Sequence, residues 1–159
     1  MPTSEWVLLS YRLPREPSTP RISVWRKLRR LGALQLVDGL VALPADASSV
    51  EALDWLAEEV AEAGGEAWTW RATPGSKAQE QLLRQRMTAA CAEEYRALTD
   101  EASDSAADVS RRTVDRLRRE LHRIERRDHF SPKEHEMARR AIERLSAAAD
   151  HAETEAARP

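Results

Sequence analysis

The chain has 159 residues and a mass of 18.0 kDa, enough for one domain or one small domain with an appendage. Lys and Arg number 25 against 27 Asp and Glu, a formal net charge of −2 that excludes a uniformly basic, histone-like coat. A single cysteine, Cys91, excludes a disulfide framework and argues against a thiolate zinc site, and no apolar run approaches the ~20 residues of a membrane span. The acidic opening, Met1 to Trp6, lacks the basic n-region of a secretory leader. The expectation is a soluble, cytoplasmic protein without a membrane partner.

Composition changes near Gly75. All five glycines and all five tryptophans lie at or before it, and no Gly or Pro occurs from Ser76 to Ser131. Residues 1–75 therefore read as an α/β unit and 76–159 as a helical extension. Trp6 to Tyr11 is a short apolar run that reads as a buried strand. Pro14, Pro17 and Pro20 hold a loop open, and Thr19 as N-cap with Pro20 at N1 opens a helix that stops at Gly32. Its apolar stripe is read as Val24, Trp25, Leu28 and Leu31. Ala33 to Val37 is a strand, Asp38-Gly39 a tight hairpin turn, and Leu40 to Leu43 the returning strand. Ser48-Ser49-Val50-Glu51 is a capping box for a second helix ending at Gly64-Gly65, and Glu66 to Arg71 closes as a strand.

The order β-α-β-β-α-β predicts an α+β fold, the ferredoxin-like split unit, with two helices on one face of four antiparallel strands. Trp68 and Trp70 share one face of the last strand. If that is the open face, the extension or a second subunit must cover it. In the extension, Ser76 to Gln79 is another capping box, followed by a stripe through Leu82, Leu83, Met87, Cys91, Tyr95 and Leu98. The polar stretch Asp100 to Asp108 is expected to break that helix. Val114, Leu117, Leu121 and Ile124 form a coiled-coil-like seam. Ser131 to Glu134 is a third capping box, with Met137, Ala141 and Leu145 behind it, and residues 150–159 are expected to fray. The extension thus holds three helices.

Charge is segregated. Arg12, Arg15, Arg21, Arg26, Lys27, Arg29 and Arg30 stand against Glu16 alone, whereas Asp46 to Glu66 holds seven acids and no base. Arg111 to Arg127 holds eight arginines against three acids. Arginine grips phosphate and other oxyanions with a planar fork, so both basic blocks suit a nucleic-acid backbone or a small oxyanion. A solvated helix face, or a basic surface meeting the acidic helix of a neighbour, is the alternative. Asp115/Arg119 and Glu120/Arg123 also have the spacing of ordinary helix pairs. Trp55 lies opposite the Leu53/Leu56/Val60 stripe, which turns an aromatic outward on an acidic helix and suggests a contact.

The run Trp6-Val7-Leu8-Leu9-Ser10-Tyr11-Arg12-Leu13-Pro14, then Arg21-Ile22-Ser23-Val24-Trp25-Arg26-Lys27-Leu28-Arg29-Arg30-Leu31-Gly32, then the strand pair ending Leu43-Pro44, resembles the N-terminal domain of ChrB. The helix around Glu94-Tyr95 and the segment Arg126 to Phe130 fit its continuation. A similar layout occurs in the middle domain of PaaX-type repressors, which in turn resembles the small ferredoxin-like nuclease of CRISPR spacer acquisition. The resemblance implies a chromate-resistance protein, and some members are chromate-responsive transcriptional regulators. Longer ChrB proteins carry a second, C-terminal domain, and any activity located there is not expected here.

The nuclease relatives hold a metal with an aspartate at the end of the first strand. Here that place reads Ser10-Tyr11-Arg12, so no nuclease is expected. His122, His129, His135 and His151 form no ligand-spaced pair, and Cys91 lies on an apolar stripe. Neither an enzyme nor a resident cofactor is expected, chromate being an effector. The leading expectation is a DNA-binding regulator acting upstream of its own operon. Arg21, Arg26, Lys27, Arg29 and Arg30 would grip phosphate, assisted by Arg116, Arg119 and Arg123. Arg12 and Arg15 would form an oxyanion pocket at the first helix's N-terminus. The competing expectation is an interaction module that dimerises or binds a separately encoded C-terminal domain. It would use Trp55, Trp68, Trp70 and the seam Val114, Leu117, Leu121 and Ile124.

Overall fold

A computed structural model describes residues 4–158. Four strands, β1 (Trp6–Arg12), β2 (Leu34–Val37), β3 (Leu40–Pro44) and β4 (Glu66–Ala72), interleave with α1 (Thr19–Leu31) and α2 (Ala47–Glu62). Then come α3 (Lys77–Asp104), a 3-10 turn at Ser105–Ala107, α4 (Arg111–Glu125) and α5 (Lys133–Ala156). This is an α+β protein: a four-stranded sheet with interleaved helices, then a helical region. The chain divides into two compact units, one up to Met87 and one from Thr88 on. The first turns of α3 belong to the first unit. Glu80 accepts the Ser4 backbone N–H at 2.9 Å, and Arg84 donates to the Ser4 hydroxyl at 3.0 Å.

The sheet runs β2-β3-β1-β4, and every neighbouring pair is antiparallel. Alternation along β1 sends Val7 and Leu9 to one face, where they are buried with Val41 and Leu43 and with Val24, Leu28, Leu53, Leu56 and Val60 of the two helices. Trp6, Leu8, Ser10 and Arg12 point to the other face. There Trp68 lies opposite Ser10, and Trp70 lies opposite Leu8. The Asp38-Gly39 turn forms as expected. Gly39 has φ +74°, and a Cβ there would stand 2.5 Å from the Tyr11 carbonyl oxygen, whose residue donates its N–H to Gly39 at 2.8 Å. Gly65 is required for another reason: a Cβ would meet the Arg12 carbonyl at 2.3 Å.

Several helix boundaries differ from expectation. The N-cap of α1 is Ser18, not Thr19. That of α2 is Asp46, whose carboxylate accepts the Ser49 N–H at 2.8 Å, so the cap precedes Ser48-Ser49. The break expected over Asp100 to Asp108 occurs, but α3 runs on to Asp104 before it. Leu98 and Ala102 are buried in the helical core, and the hydroxyls of Thr99, Ser103 and Ser105 each donate to the carbonyl one turn back. Pro132, not Ser131, caps α5, whose buried stripe is Ala138, Ala141, Ile142, Leu145 and Ala149, leaving Met137 half exposed. Nor is α5 frayed at residue 150: it continues to Ala156, and Arg111 holds Asp150 and Glu153 at 2.5 and 3.1 Å.

The second unit is a three-helix core. Cys91, Tyr95, Leu98 and Ala102 pack with Val114, Leu117, Leu121 and Ile124 and with the α5 stripe. At its end the fully buried Tyr95 donates its hydroxyl to Asp128 at 2.9 Å. The other oxygen of Asp128 accepts the backbone N–H groups of Phe130 and Ser131, fixing the α4–α5 connection. Burial pushes the Tyr95 phenol well above its ordinary value, and the Asp128 carboxylate adds to the effect, so the hydroxyl stays a donor at all physiological pH. Tyr95→Phe should cost about 1.5–3 kcal/mol, the scale of a hydrogen bond to a charged group. Urea unfolding followed by circular dichroism measures it, and a midpoint unchanged at constant slope would remove the bond from the account.

Candidate anion-binding surface

The basic block of the first unit is concentrated on α1. Val24 and Leu28 face the core. At ~100° per residue, Arg21, Trp25 and Arg29 then fall on one flank, Arg26 faces outward, and Lys27 lies on the opposite flank. Lys27 is held there: its Nζ donates to Glu59 Oε2 of α2 at 2.5 Å, and Ser23 donates to Glu59 Oε1 at 3.1 Å. The bond from Lys27 pulls the Glu59 carboxyl below its ordinary range, against the opposing effect of burial. Arg21, Arg26, Arg29 and Arg30 are exposed and make no ion pair among the described residues. Trp25 does not join Val24 and Leu28 in the buried stripe. It is instead half exposed, with the Arg29 guanidinium 5.0 Å from its ring centroid.

Arg12 and Arg15 do not come together as a pocket. Strand alternation places Arg12 on the sheet face of Trp68 and Trp70, where it pairs with Glu66 at 3.2 Å, whereas Arg15 lies exposed in the loop before α1. Tyr11, one residue back, is on the helix side. Burial raises its phenol, and nearby Arg21 opposes the shift.

The second basic block is mostly consumed inside the helical unit. Arg116 pairs with Glu101 at 2.6 Å, Arg123 with Glu120 at 3.0 Å, and Arg127 with Glu94, while Arg118 donates to the Ser146 hydroxyl. Arg112, Arg119 and Arg126 are exposed without an ion pair among the described residues. Arg118, Arg119, Arg123 and Arg126 line a shallow groove of about 650 Å³ along α4.

Of the aromatics, Trp6 is core, while Trp55, Trp68 and Trp70 are each more than half exposed. Trp70 donates its indole N–H to Ser10 Oγ at 3.0 Å. The open sheet face is partly closed at one end, where Leu82 and Leu83 of α3 join Trp6, Leu8 and Leu36 around an apolar hollow of about 310 Å³. Val114, Leu117, Leu121 and Ile124 form no outward seam, because all four are buried within the helical unit.

No group of three or more His, Cys, Asp and Glu side chains is placed to hold a metal among the described residues. No helix there is long and apolar enough to cross a membrane. Burial raises the Cys91 thiol to about 11, and the carboxylates of Asp128 and Glu94 add to the shift. The residues that sequence reasoning missed are Asp128 and Glu134. Asp128 closes a local turn, whereas Glu134, buried, takes Arg96 at 3.1 Å across a long sequence separation.

Together these features define a small α+β protein whose exposed, arginine-bearing helix lies on a four-stranded antiparallel sheet. The chain belongs to the ChrB N-terminal family: the family described as "Protein ChrB, N-terminal" matches it over residues 21–114. It is 32% identical over 105 residues to Protein ChrB of Cupriavidus metallidurans, covering 66% of this chain and 29% of that relative. The chain thus spans less than a third of the curated relative it matches. No solved structure matches. The matched segment contains the arginines of α1 and excludes Arg12, Arg15, Arg116, Arg119 and Arg123.

Two outcomes follow. Glu59 has a depressed pKa, so its contribution to stability is present above the ordinary carboxyl range and is lost as pH falls through the lowered value. Glu59→Gln should therefore flatten the fall of stability on acidification below the ordinary carboxyl range relative to the parent, read as thermal midpoints across pH. At pH 8 a thiol titrating near 11 is about 0.1% thiolate, so Cys91 should react with a disulfide reagent far more slowly in the folded chain than in urea. Equal rates would place it outside the core.

Proposed function

We propose that this ChrB-type chain is a non-catalytic regulator of chromate resistance that binds nucleic-acid phosphate through α1. The observation that carries the reading is the set of arginines on α1, Arg21, Arg26, Arg29 and Arg30, exposed and unclaimed by any carboxylate among the described residues. Guanidinium groups free of ion pairs bind phosphate without first breaking a contact, and each phosphate neutralised releases counterions from the nucleic acid. Arg21 and Arg29, flanking Trp25, lead, and Arg26 and Arg30 add positive potential. Arg119 and Arg126 offer a second, smaller set. Chromate, a tetrahedral dianion, suits the same forks and would compete with phosphate for them.

The strand order β2-β3-β1-β4 with its two intervening helices supports the ferredoxin-like arrangement that the family resemblance implies. The end of β1 supports a non-catalytic reading, since Ser10 holds Trp70 and Arg12 holds Glu66 where a metal-binding carboxylate would be needed. The exposure of Trp68 and Trp70 favours a second reading, a module that docks another protein on its sheet.

Fluorescence anisotropy with DNA from upstream of the gene tests the first reading, at two salt concentrations and with or without chromate. Arg21→Ala/Arg29→Ala should weaken binding by about tenfold or more and reduce the salt slope by about 2. Chromate should release the specific fragment. If the double variant binds as the parent does, α1 is not the phosphate surface. If the parent binds no DNA, the docking module is the better reading.

A further inference from the structure

The two helices of the first unit carry opposite charge side by side, yet almost none of it is paired. Lys27–Glu59 is the one ion pair between α1 and α2 among the described residues. On α2, Glu51, Trp55, Glu58 and Glu62 all fall within about 60° of one another on the outward side, at ~100° per residue from the buried Leu53. The three carboxylates make no ion pair there, and Trp55 between them is two-thirds exposed. On α1, Arg26 faces outward beside the half-exposed Ile22, and Arg30 leans toward α2, where it lines a groove of about 280 Å³ with Leu31, Leu56 and Trp55. One layer therefore presents a basic row, a groove of apolar side chains beside the Lys27–Glu59 pair with an aromatic at its rim, and an acidic row.

We propose that this layer is a twofold interface that takes a second copy of the chain, α1 of each protomer lying on α2 of the other. A half-turn about an axis through the groove brings Arg26 and Arg30 onto the partner's acidic row and the acidic row onto the partner's arginines. The same rotation brings the two Trp55 rings to the centre, the position in which a buried tryptophan contributes most. The occupant follows from charge. A nucleic acid on the outward face of α1 would meet the carboxylates of α2 one helix diameter, roughly 10 Å, away. A second copy meets complementary charge on both rows. The inference goes beyond the proposed phosphate-binding role and divides α1 between the two: Arg26 and Arg30 face the partner copy, while Arg21, Trp25 and Arg29 stay open on the flank turned away from α2.

The test uses the full chain, with light scattering after size exclusion at micromolar concentration. The parent should be a dimer that weakens as salt is raised. Arg26→Glu/Arg30→Glu and Glu51→Lys/Glu58→Lys should each be folded by circular dichroism and monomeric, because each sets like rows against each other. Mixed in equal amounts they should form a heterodimer, since the reversed α1 of one then meets the reversed α2 of the other, and the two unaltered rows meet as before. If a reversal variant does not fold, Arg26→Ala and Glu58→Ala carry the same test, each weakening the dimer about tenfold. A monomeric parent at low salt, a reversal variant that stays dimeric, a mixture of folded variants that stays monomeric, or alanine variants that dimerise as the parent does overturns the proposal. A monomeric parent whose DNA binding is lost in Arg26→Glu/Arg30→Glu would assign the face to nucleic acid. Failure of the phosphate reading shows separately, as DNA binding untouched by Arg21→Ala/Arg29→Ala in a chain that still dimerises.

Discussion

The layout of the first unit depends on the alternation of β1, one of the two central strands of the sheet. Val7 and Leu9 anchor the helix layer, and Trp6, Leu8, Ser10 and Arg12 look the other way. A slip of one residue would turn Val7 and Leu9 out of the core, so burial of these two pins the register of β3 and β4 as well. Everything on the open face follows. Trp68 and Trp70 come to lie across from Ser10 and Leu8, and Arg12 is carried to the tryptophan side with Glu66. An arginine close in sequence to the basic helix is thereby separated from it by the thickness of the sheet. Proximity along the chain suggests a pocket of Arg12 and Arg15, whereas the two-residue period turns Arg12 to the tryptophan side and Arg15 lies in the loop beyond the strand.

The two basic blocks have nearly the same composition and opposite fates. In the helical unit, α4 shares one core with α3 and α5, and both neighbours supply partners: Glu101 and Glu94 from α3, Asp150, Glu153 and Ser146 from α5. Such surface pairs add little stability, about 0–1 kcal/mol each, but they occupy the guanidinium groups. α1 has one helical neighbour on its layer, and only the flank carrying Ser23 and Lys27 faces it. Its remaining arginines have no carboxylate to turn to. Net charge conceals the distinction, which rests on how many neighbours a helix has.

Where the chain announces its own breaks, sequence and structure agree: the Asp38-Gly39 turn, the left-handed Gly32 that ends α1, and the outward Trp55. Disagreement begins where two local signals compete or a distant partner decides. Asp46 and Ser48 are both good caps, and the chain takes Asp46 because its carboxylate reaches Ser49, which is buried. Asp100 to Asp108 reads as a break by polarity, and α3 does end inside it, but only at Asp104, because Leu98 and Ala102 are needed in the core. Trp25, read with the stripe of Val24, Leu28 and Leu31, lies ~100° from Val24. Its ring is used instead to carry Arg29. The bond from Tyr95 to Asp128 left no local trace, since the partners are far apart in sequence and meet only when α3 and the α4–α5 connection are packed.

The electrostatics of α1 itself further separate its two flanks. Its last turn carries Arg29 and Arg30 at the negative end of the helix dipole, so part of their charge is answered by the helix. Its first turn has no acidic residue, and the Ser18 side chain makes no capping bond, so Arg21 adds to the positive end of the dipole. The positive field of the open flank therefore includes both Arg21 and the helix N-terminus. Arg29 follows one face down, already oriented against the Trp25 ring. Lys27, on the other flank, is neutralised by Glu59 and lies outside this field. One helix thus holds Lys27 bound against its neighbour, while Arg21 and Arg29 stay unpaired on the flank turned away from it.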